Sequence, residues 1–209
     1  MNYKVVINME NKIGNVQSYT NSNDNLLIKS SSALYAESFY FNNVLDEKAV
    51  NKFIKNTEKL IRTSKEYTGY IALLRSNYDI LNYDNMLSNI SINDASLEFH
   101  HYPFTLYEIV DIVLSYHLIK KDKITSFSLA KEIMELHFKH KIGLVPLTHT
   151  LHELAHDGSI FISKTQIFGD YQWFADKYSI ALSTDNKNKL QQLEEMSSMK
   201  IQKDLRGLF

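Results

Sequence analysis

The pattern of apolar and polar positions predicts a helix-rich protein with a few short strands. Asp46 can cap a helix in which apolar residues recur at helical spacing from Val50 to Ile61. The same period predicts five further helices, over residues 70–87, 105–119, 126–141, 171–178 and 186–199. Another helix is predicted between a cap at Thr148 or Thr150 and an end at Asp157-Gly158. Short apolar or alternating runs predict strands or extended segments at residues 3–9, 25–29, 96–102, 144–147 and 160–162. This mixture predicts an α+β fold.

Within the helices over 105–119 and 126–141, the spacing also predicts which side chains are buried. The buried stripe of the first helix is expected at Leu106, Ile109, Val110, Val113 and Leu114. The apolar stripe of the second is expected at Leu129, Ile133, Leu136 and Phe138.

Composition indicates a globular protein without disulfides. The chain has 209 residues, of which 44% are hydrophobic and 12% aromatic, enough to build a core. It has no cysteine, so a metal ion would have to be held by His, Asp or Glu. No apolar run approaches the roughly 20 residues that span a bilayer, so we expect no membrane partner and a cytoplasmic location. The formal net charge of −1 argues against nonspecific attraction to nucleic acid over the whole surface.

Histidines are concentrated in two blocks that have the spacing of metal ligands. His152 and His156 are four residues apart, so on a helix both imidazoles lie on one face and can bind one metal ion. In the predicted strand of the first block, Glu98 and His100 share one face and His101 lies on the other. One imidazole can therefore bind a metal while its neighbour accepts a proton.

These two blocks resemble the HNH nuclease family. The matching pieces are Glu98-Phe99-His100-His101 and a Leu144-Val145-Pro146-Leu147 segment that leads into the helix with His152 and His156. The resemblance implies a core of two antiparallel strands and a helix that binds one divalent ion (Zn, Mg, Mn or Ni). It implies that the metal ligands are His100, His152 and His156, with His101 as general base and Glu98 as a carboxylate that orients a ligand histidine.

The activity that the resemblance implies is metal-dependent hydrolysis of DNA phosphodiester bonds, with DNA as the partner. It also implies a phage origin, in which case the cytoplasm is that of an infected host cell. The metal-binding core is expected over residues 91–165, with a helical insertion at 105–141. Residues 1–90 are expected to be an α/β extension of unknown role, and residues 166–209 a helical segment. Either terminal segment could bind a protein partner.

The insertion is the most basic region of the chain. Its lysines are therefore predicted to contact DNA phosphates, namely Lys120, Lys121, Lys123 and Lys131. Three histidines near or within this region, His117, His137 and His140, are expected to be solvated or to lie at helix ends.

A zinc peptidase is a second possible function for the same residues. His152-Glu153-x-x-His156 has the form of the zinc-peptidase signature, in which Glu153 would activate water. Such a site needs a third ligand further along the chain, and Glu194 or Glu195 could supply it.

A third possibility retains the fold without catalysis. Gly143 occupies the place of the asparagine that gives the HNH family its middle letter, and His149 is expected not to be a ligand. With a nearly neutral net charge, the domain could be a regulatory or structural binding module of a phage.

Overall fold

The computed structural model describes residues 5–7, 37–39, 47–77, 97–156 and 159–206. Its helices and strands are, in chain order, β1 (Val5–Ile7), β2 (Glu37–Phe39), α1 (Glu47–Thr63), α2 (Lys65–Ser76), β3 (Leu97–His101), α3 (Leu106–Lys120), α4 (Ser126–Phe138), β4 (Leu144–Thr148), α5 (His149–His156), α6 (Tyr171–Lys177) and α7 (Thr184–Arg206). Two 3-10 turns, Lys164–Gln166 and Ser179–Ala181, complete this set. The fold is α+β with helices predominating, as the pattern predicts.

The chain divides into two compact units, each made of two separate stretches of sequence. The first comprises Met1–Tyr67 and Tyr107–Glu135, and the second comprises Thr68–Leu106 and Leu136–Phe209. The division of the chain into domains at residues 1–90, 91–165 and 166–209 stays a prediction. None of the helices in the described ranges is long and apolar enough to cross a membrane.

In the first unit, α1 follows the spacing that predicts it. Its buried side chains, Ala49, Phe53, Ile54, Thr57 and Ile61, recur every three or four residues. Glu47 in the first turn and Arg62 in the last turn carry the charges that favour the helix dipole. Asp46, the expected cap, lies outside the described residues. β1 and β2 form a two-stranded antiparallel sheet that pairs Val6 with Ser38.

Helix α3 confirms its predicted stripe and is buried more widely than predicted. All five residues of the stripe are buried, and Ile112 is buried too. A helix with apolar side chains around most of its circumference is enclosed by its surroundings. The helix ends where Lys121 adopts φ = 63°, while the N–H of Asp122 donates to the carbonyl of His117. This is a Schellman-type end, in which the left-handed position usually holds glycine.

In helix α4 the predicted stripe is wrong at its end. Phe138 is 41% exposed, whereas its neighbour His137 is 0% exposed. The helix ends at Phe138 instead of Lys141, because His140 has φ = 53° and the Lys141 N–H donates to the carbonyl of Leu136. The left-handed residue therefore ends the helix three positions before the predicted end.

In the second unit, β3 and β4 pair as an antiparallel ladder, and α5 follows β4 directly. The predicted strand at 160–162 is wrong, because these residues have no strand structure. Ile162 instead packs in a core cluster with Val145 and Leu147, and this burial explains the apolar residue at this position.

The other predicted elements were found with shifted bounds or lie outside the described residues. Helix α2 covers the beginning of the helix predicted at 70–87, and its remainder lies outside the described residues, as does the strand at 25–29. Asp170 caps α6 by accepting from the Trp173 N–H at 3.1 Å. Helix α7 extends beyond the predicted 186–199 at both ends. β2 has no counterpart in the predicted elements.

Candidate functional site

The fold brings the two histidine blocks together. In the β3–β4 ladder, Glu98 is opposite Leu147 and His100 is opposite Val145. Helix α5 contacts both strands, so its side chains lie beside those of β3. Thr148 helps to begin this helix, because its Oγ1 accepts a long 3.4 Å hydrogen bond from the Leu151 N–H. Strand, strand and helix thus meet in the order that the sequence predicts.

Glu98 links β3 to the first two turns of α5. Its Oε2 lies 2.6 Å from Nδ1 of His152, and its Oε1 lies 3.1 Å from Nδ1 of His149. The His152 side chain is mostly buried, whereas that of His149 is 67% exposed. Glu98 therefore orients the ring of His152 through a short contact with Nδ1, and the second contact is at the surface.

His100 lies on the same side of β3 as Glu98. Its ring meets the ring of His152 edge to face, with 5.0 Å between the centroids. His100 is buried at 7% exposure. The side chain of His156, the third predicted ligand, lies outside the described residues. Among the side chains that are described, no group of three or more His, Asp or Glu is arranged to hold a metal ion.

His101 lies on the opposite face of the strand and pairs with a histidine from α4. Its Nε2 is 2.9 Å from Nε2 of His137, with the two rings nearly perpendicular. One of these nitrogens must donate and the other accept. Both side chains are buried, so His137 is not solvated, but it does lie in the last turn of α4, which is the other half of what is expected of it.

The spacing of α4 contains the signal that would have found His137. This residue follows Ile133 by four positions and Ala130 by seven, and both are buried. A histidine in the apolar stripe of a helix has to find a polar partner inside the protein. The sequence cannot name that partner, because His101 is 36 residues away along the chain.

Gly143 occupies a position where the backbone leaves no room for a side chain. A Cβ at this position would lie 2.1 Å from the carbonyl oxygen of Tyr102, far below any normal contact. The Tyr102 N–H also donates to the Gly143 carbonyl at 3.1 Å. Close pairing of the two chain segments therefore requires glycine here, and an asparagine would force them apart.

The basic insertion contains a partly buried cluster of His117, Asp122 and Glu132 as well as exposed lysines. Nδ1 of His117 is 2.8 Å from Asp122, and Nε2 is 2.7 Å from Glu132. The hydrogen bond to Glu132 is the main cause that raises the pKa of His117, against a smaller opposing effect of burial. His117 is thus not a solvated histidine, although it lies in the last turn of α3, as the expectation of a helix-end position has it. The lysines predicted to contact phosphate, Lys120, Lys121, Lys123 and Lys131, are all exposed.

The residues that a zinc peptidase would need are engaged elsewhere or exposed. The side chain of Glu153 is 70% exposed and lies 3.4 Å from His149. Glu194 forms a 2.8 Å ion pair with Lys164, and Glu195 accepts from Gln191 at 2.8 Å. These contacts give the peptidase reading no support.

Comparison with protein families decides the affiliation of the chain. A family model described as Bacteriophage G278-like virion protein matches residues 1–206. The chain belongs to this family. Its association with phages, which the resemblance implied, is therefore supported. The family description names a virion protein and no enzymatic activity. Neither the curated proteins nor the solved structures contain a match to this chain.

Proposed function

We propose that the protein is a structural component of a phage particle, where it acts through contacts with other particle proteins. The observation that carries this proposal is the match to a virion protein family over nearly the whole chain. The net charge of −1 is consistent with protein contacts, because nonspecific binding to nucleic acid is driven by positive charge.

Two details of the site favour a non-catalytic role. Nε2 of His101 is hydrogen-bonded to His137 inside the protein, so it would have to leave this partner before it could accept a proton from water. His101, the predicted general base, thus forms a structural contact in the core. Gly143 stands where the HNH family has its asparagine, and the carbonyl of Tyr102 leaves no space there for a longer side chain.

The composition of purified particles tests this proposal. Particles of a phage that carries this gene are purified by density-gradient centrifugation, washed in high salt and examined by quantitative mass spectrometry. We expect the protein at a constant ratio to the major capsid protein. A protein that is abundant in the infected lysate but absent from washed particles contradicts the proposal.

Complementation separates assembly from catalysis. A phage with an amber codon in this gene is grown in a non-suppressing host that supplies the protein from a plasmid. We expect His152→Ala to restore plaques as well as the unchanged protein does, provided that the variant accumulates to the same level. Loss of plaques with His152→Ala, but not with His149→Ala on the same helix, would show that the histidine site is needed.

The contact between Glu98 and His152 favours one alternative function, metal-dependent hydrolysis of DNA. A carboxylate on one ring nitrogen commonly orients a metal-ligating histidine so that its other nitrogen faces the ion. Glu98 holds His152 in this way at 2.6 Å, and the ring of His100 lies beside it. In this function His100, His152 and His156 would hold a divalent ion, which would polarise a phosphoryl oxygen. The basic lysines of the insertion would then contact DNA in the host cytoplasm or in the particle.

Plasmid nicking tests the alternative. Supercoiled plasmid is incubated with the protein and Mg²⁺, Mn²⁺, Ni²⁺ or Zn²⁺, and the nicked form is measured on gels. If the alternative is right, nicking depends on one of these ions, disappears in His152→Ala and persists in His149→Ala. Intact plasmid with every ion, or equal nicking by His152→Ala, excludes it.

A further inference from the structure

His117, in the last turn of α3, contacts both α4 and the connection that joins the two helices (residues 121–125). Its Nδ1 lies 2.8 Å from Oδ2 of Asp122, in the connection, and its Nε2 lies 2.7 Å from Oε2 of Glu132, in α4. The N–H of Asp122 also donates to the carbonyl of His117 at 2.9 Å. Asp122 is therefore bound to His117 through both its backbone and its side chain.

This geometry requires the protonated form of His117. An ionised carboxylate only accepts hydrogen bonds, so a ring with a carboxylate at each nitrogen needs a hydrogen on each nitrogen, which only the imidazolium cation has. In the neutral ring, one nitrogen would turn its lone pair towards a carboxylate that lies 2.7 or 2.8 Å away, and the two would repel each other. The last turn of a helix also favours the cation, because the carbonyl end of the helix attracts positive charge.

The charged groups around His117 agree with this assignment. Among the described residues, Glu132 has the largest effect on its pKa and raises it through a hydrogen bond, burial opposes this, and the hydrogen bond to Asp122 raises the pKa further. On α3 itself, the ring of Tyr116 meets the imidazole edge to face at 5.7 Å, and the ammonium group of Lys120 lies over the Tyr116 ring. After the larger effect of Tyr116, the charge of Asp122 also raises the pKa of Lys120.

Loss of the proton should free Asp122 and leave Glu132 in place. The Asp122 side chain is 50% exposed and lies in the connection, whereas Glu132 is 29% exposed and lies within α4. The contact with Glu132 has the larger effect on the pKa of His117, so the one remaining hydrogen stays on Nε2. Nδ1 then turns a lone pair towards Asp122, and the carboxylate moves to water or to the nearby ammonium group of Lys120.

The second half of the connection limits how far this release extends. Thr125 caps α4, because its Oγ1 accepts from the Ser128 N–H at 3.1 Å and its own N–H donates to the Ser128 Oγ at 3.0 Å. Ile124 is buried. These contacts do not depend on the His117 proton. The part that can be released is therefore Lys121 to Lys123, and both lysines are exposed.

We propose that His117 is a pH-dependent clamp on the connection between α3 and α4, and that loss of its proton releases residues 121–123. The closed clamp holds Lys121 and Lys123 in one arrangement, and the open clamp does not. Because the pKa of His117 is raised, the clamp is closed between about pH 5, where the carboxylates are ionised, and about pH 6.5, and it opens as the pH rises through the folded pKa. The proposal does not depend on the role of the protein in the particle.

Spin labels test the proposal, because the chain has no cysteine and one label can be attached at a single chosen position. A nitroxide is attached to Lys123→Cys, in the connection, or to Lys131→Cys, an exposed position on α4. Electron paramagnetic resonance spectra are recorded from about pH 5.5 to about pH 9, a range that spans the titration of an imidazole. We expect the mobile fraction of the label at residue 123 to rise by about fivefold or more, with a midpoint above about pH 6.5. The label at residue 131 should not change.

Two variants in the Lys123→Cys background remove the dependence on the proton. Asp122→Asn places an amide at Nδ1, and an amide can accept from an N–H or donate to a lone pair, so this contact survives in both states of the ring. His117→Gln removes the titrating ring. Both variants should abolish the change of mobility with pH. His149→Gln should leave it intact, because it changes an exposed histidine that contacts Glu98 instead.

An NMR titration of the His117 ring, identified by its loss in His117→Gln, should give the same midpoint as the label at residue 123. Equal mobility of that label over the whole pH range overturns the proposal, and so does a change that persists in Asp122→Asn. A change of the same size at residue 131 overturns it as well, because the helix and not the connection would then be loosening. Circular dichroism at each pH checks that every protein is folded.

Discussion

Replacement of His137 by leucine should destabilise the protein through its effect on His101. Leucine has no polar atom, so the Nε2 of His101 would lose its 2.9 Å partner inside the protein. A buried polar group left without its partner costs about 1–3 kcal/mol. The apolar contacts of leucine offset part of this cost, because the site is 0% exposed. We therefore expect His137→Leu to lower the free energy of unfolding by about 1–3 kcal/mol.

The double variant distinguishes the pair from two independent residues. His101→Leu alone should cost a similar amount, because His137 then loses its partner. With both residues changed, neither imidazole remains, and replacing both partners by apolar groups can be nearly neutral. The double variant should therefore be more stable than the sum of the single effects predicts, by at least about 2 kcal/mol of coupling energy.

Urea unfolding followed by circular dichroism measures these free energies, at about pH 8 where an unperturbed imidazole is neutral. In thermal unfolding, the single variants should shift Tm by roughly 2–12 °C, since each kcal/mol shifts a chain of this size by about 2–4 °C. His149→Leu is the control, because that side chain is 67% exposed and its contact with Glu98 is at the surface. Additive effects of His101→Leu and His137→Leu, or no effect of either, would refute the reasoning.

Three further predictions concern single positions, and one of them has a control variant. Gly143→Ala should lower the unfolding free energy by about 1–3 kcal/mol or more in urea titrations, because its Cβ would meet the Tyr102 carbonyl; unchanged stability would mean that the segments separate without cost. Lys121→Gly should raise stability by about 0.5–1 kcal/mol, since glycine adopts φ = 63° without strain, and Lys120→Gly, inside α3, should lower it. The pKa of His117 is raised in the folded protein, so its contribution to stability is complete below about pH 6.5 and is lost as the pH rises through the folded pKa. His117→Gln should therefore reduce Tm more at about pH 6 than at about pH 9, and an equal reduction at both would contradict this assignment.

Local periodicity explains why most helices could be predicted and why their ends could not. Helix α1 repeats buried side chains at a spacing that is visible in the sequence, and α3 does the same. The end of α4 depends on the left-handed backbone at His140. Helix ends of this kind usually have glycine at that position, so a histidine does not predict one. The segment at 160–162 is predicted as a strand because its residues are apolar, but Ile162 is apolar to fit a core cluster outside any strand.

The candidate site divides in the same way. Strand alternation correctly separates Glu98 and His100 from His101, because neighbouring side chains on a strand point to opposite faces. The identity of each partner depends on distant parts of the chain. Glu98 meets His149 across 51 residues, and the sequence contains no rule that selects this contact.

The amino-acid sequence by itself determined the helical periodicity, the order strand, strand and helix around the histidine blocks, and the absence of thiolate ligands. These properties are local, since they follow from spacing and residue type within a few turns. The tertiary structure alone decided that His101 has a buried partner and that Gly143 cannot carry a side chain. Each of these depends on which distant segments pack together, and packing is set by the whole chain at once.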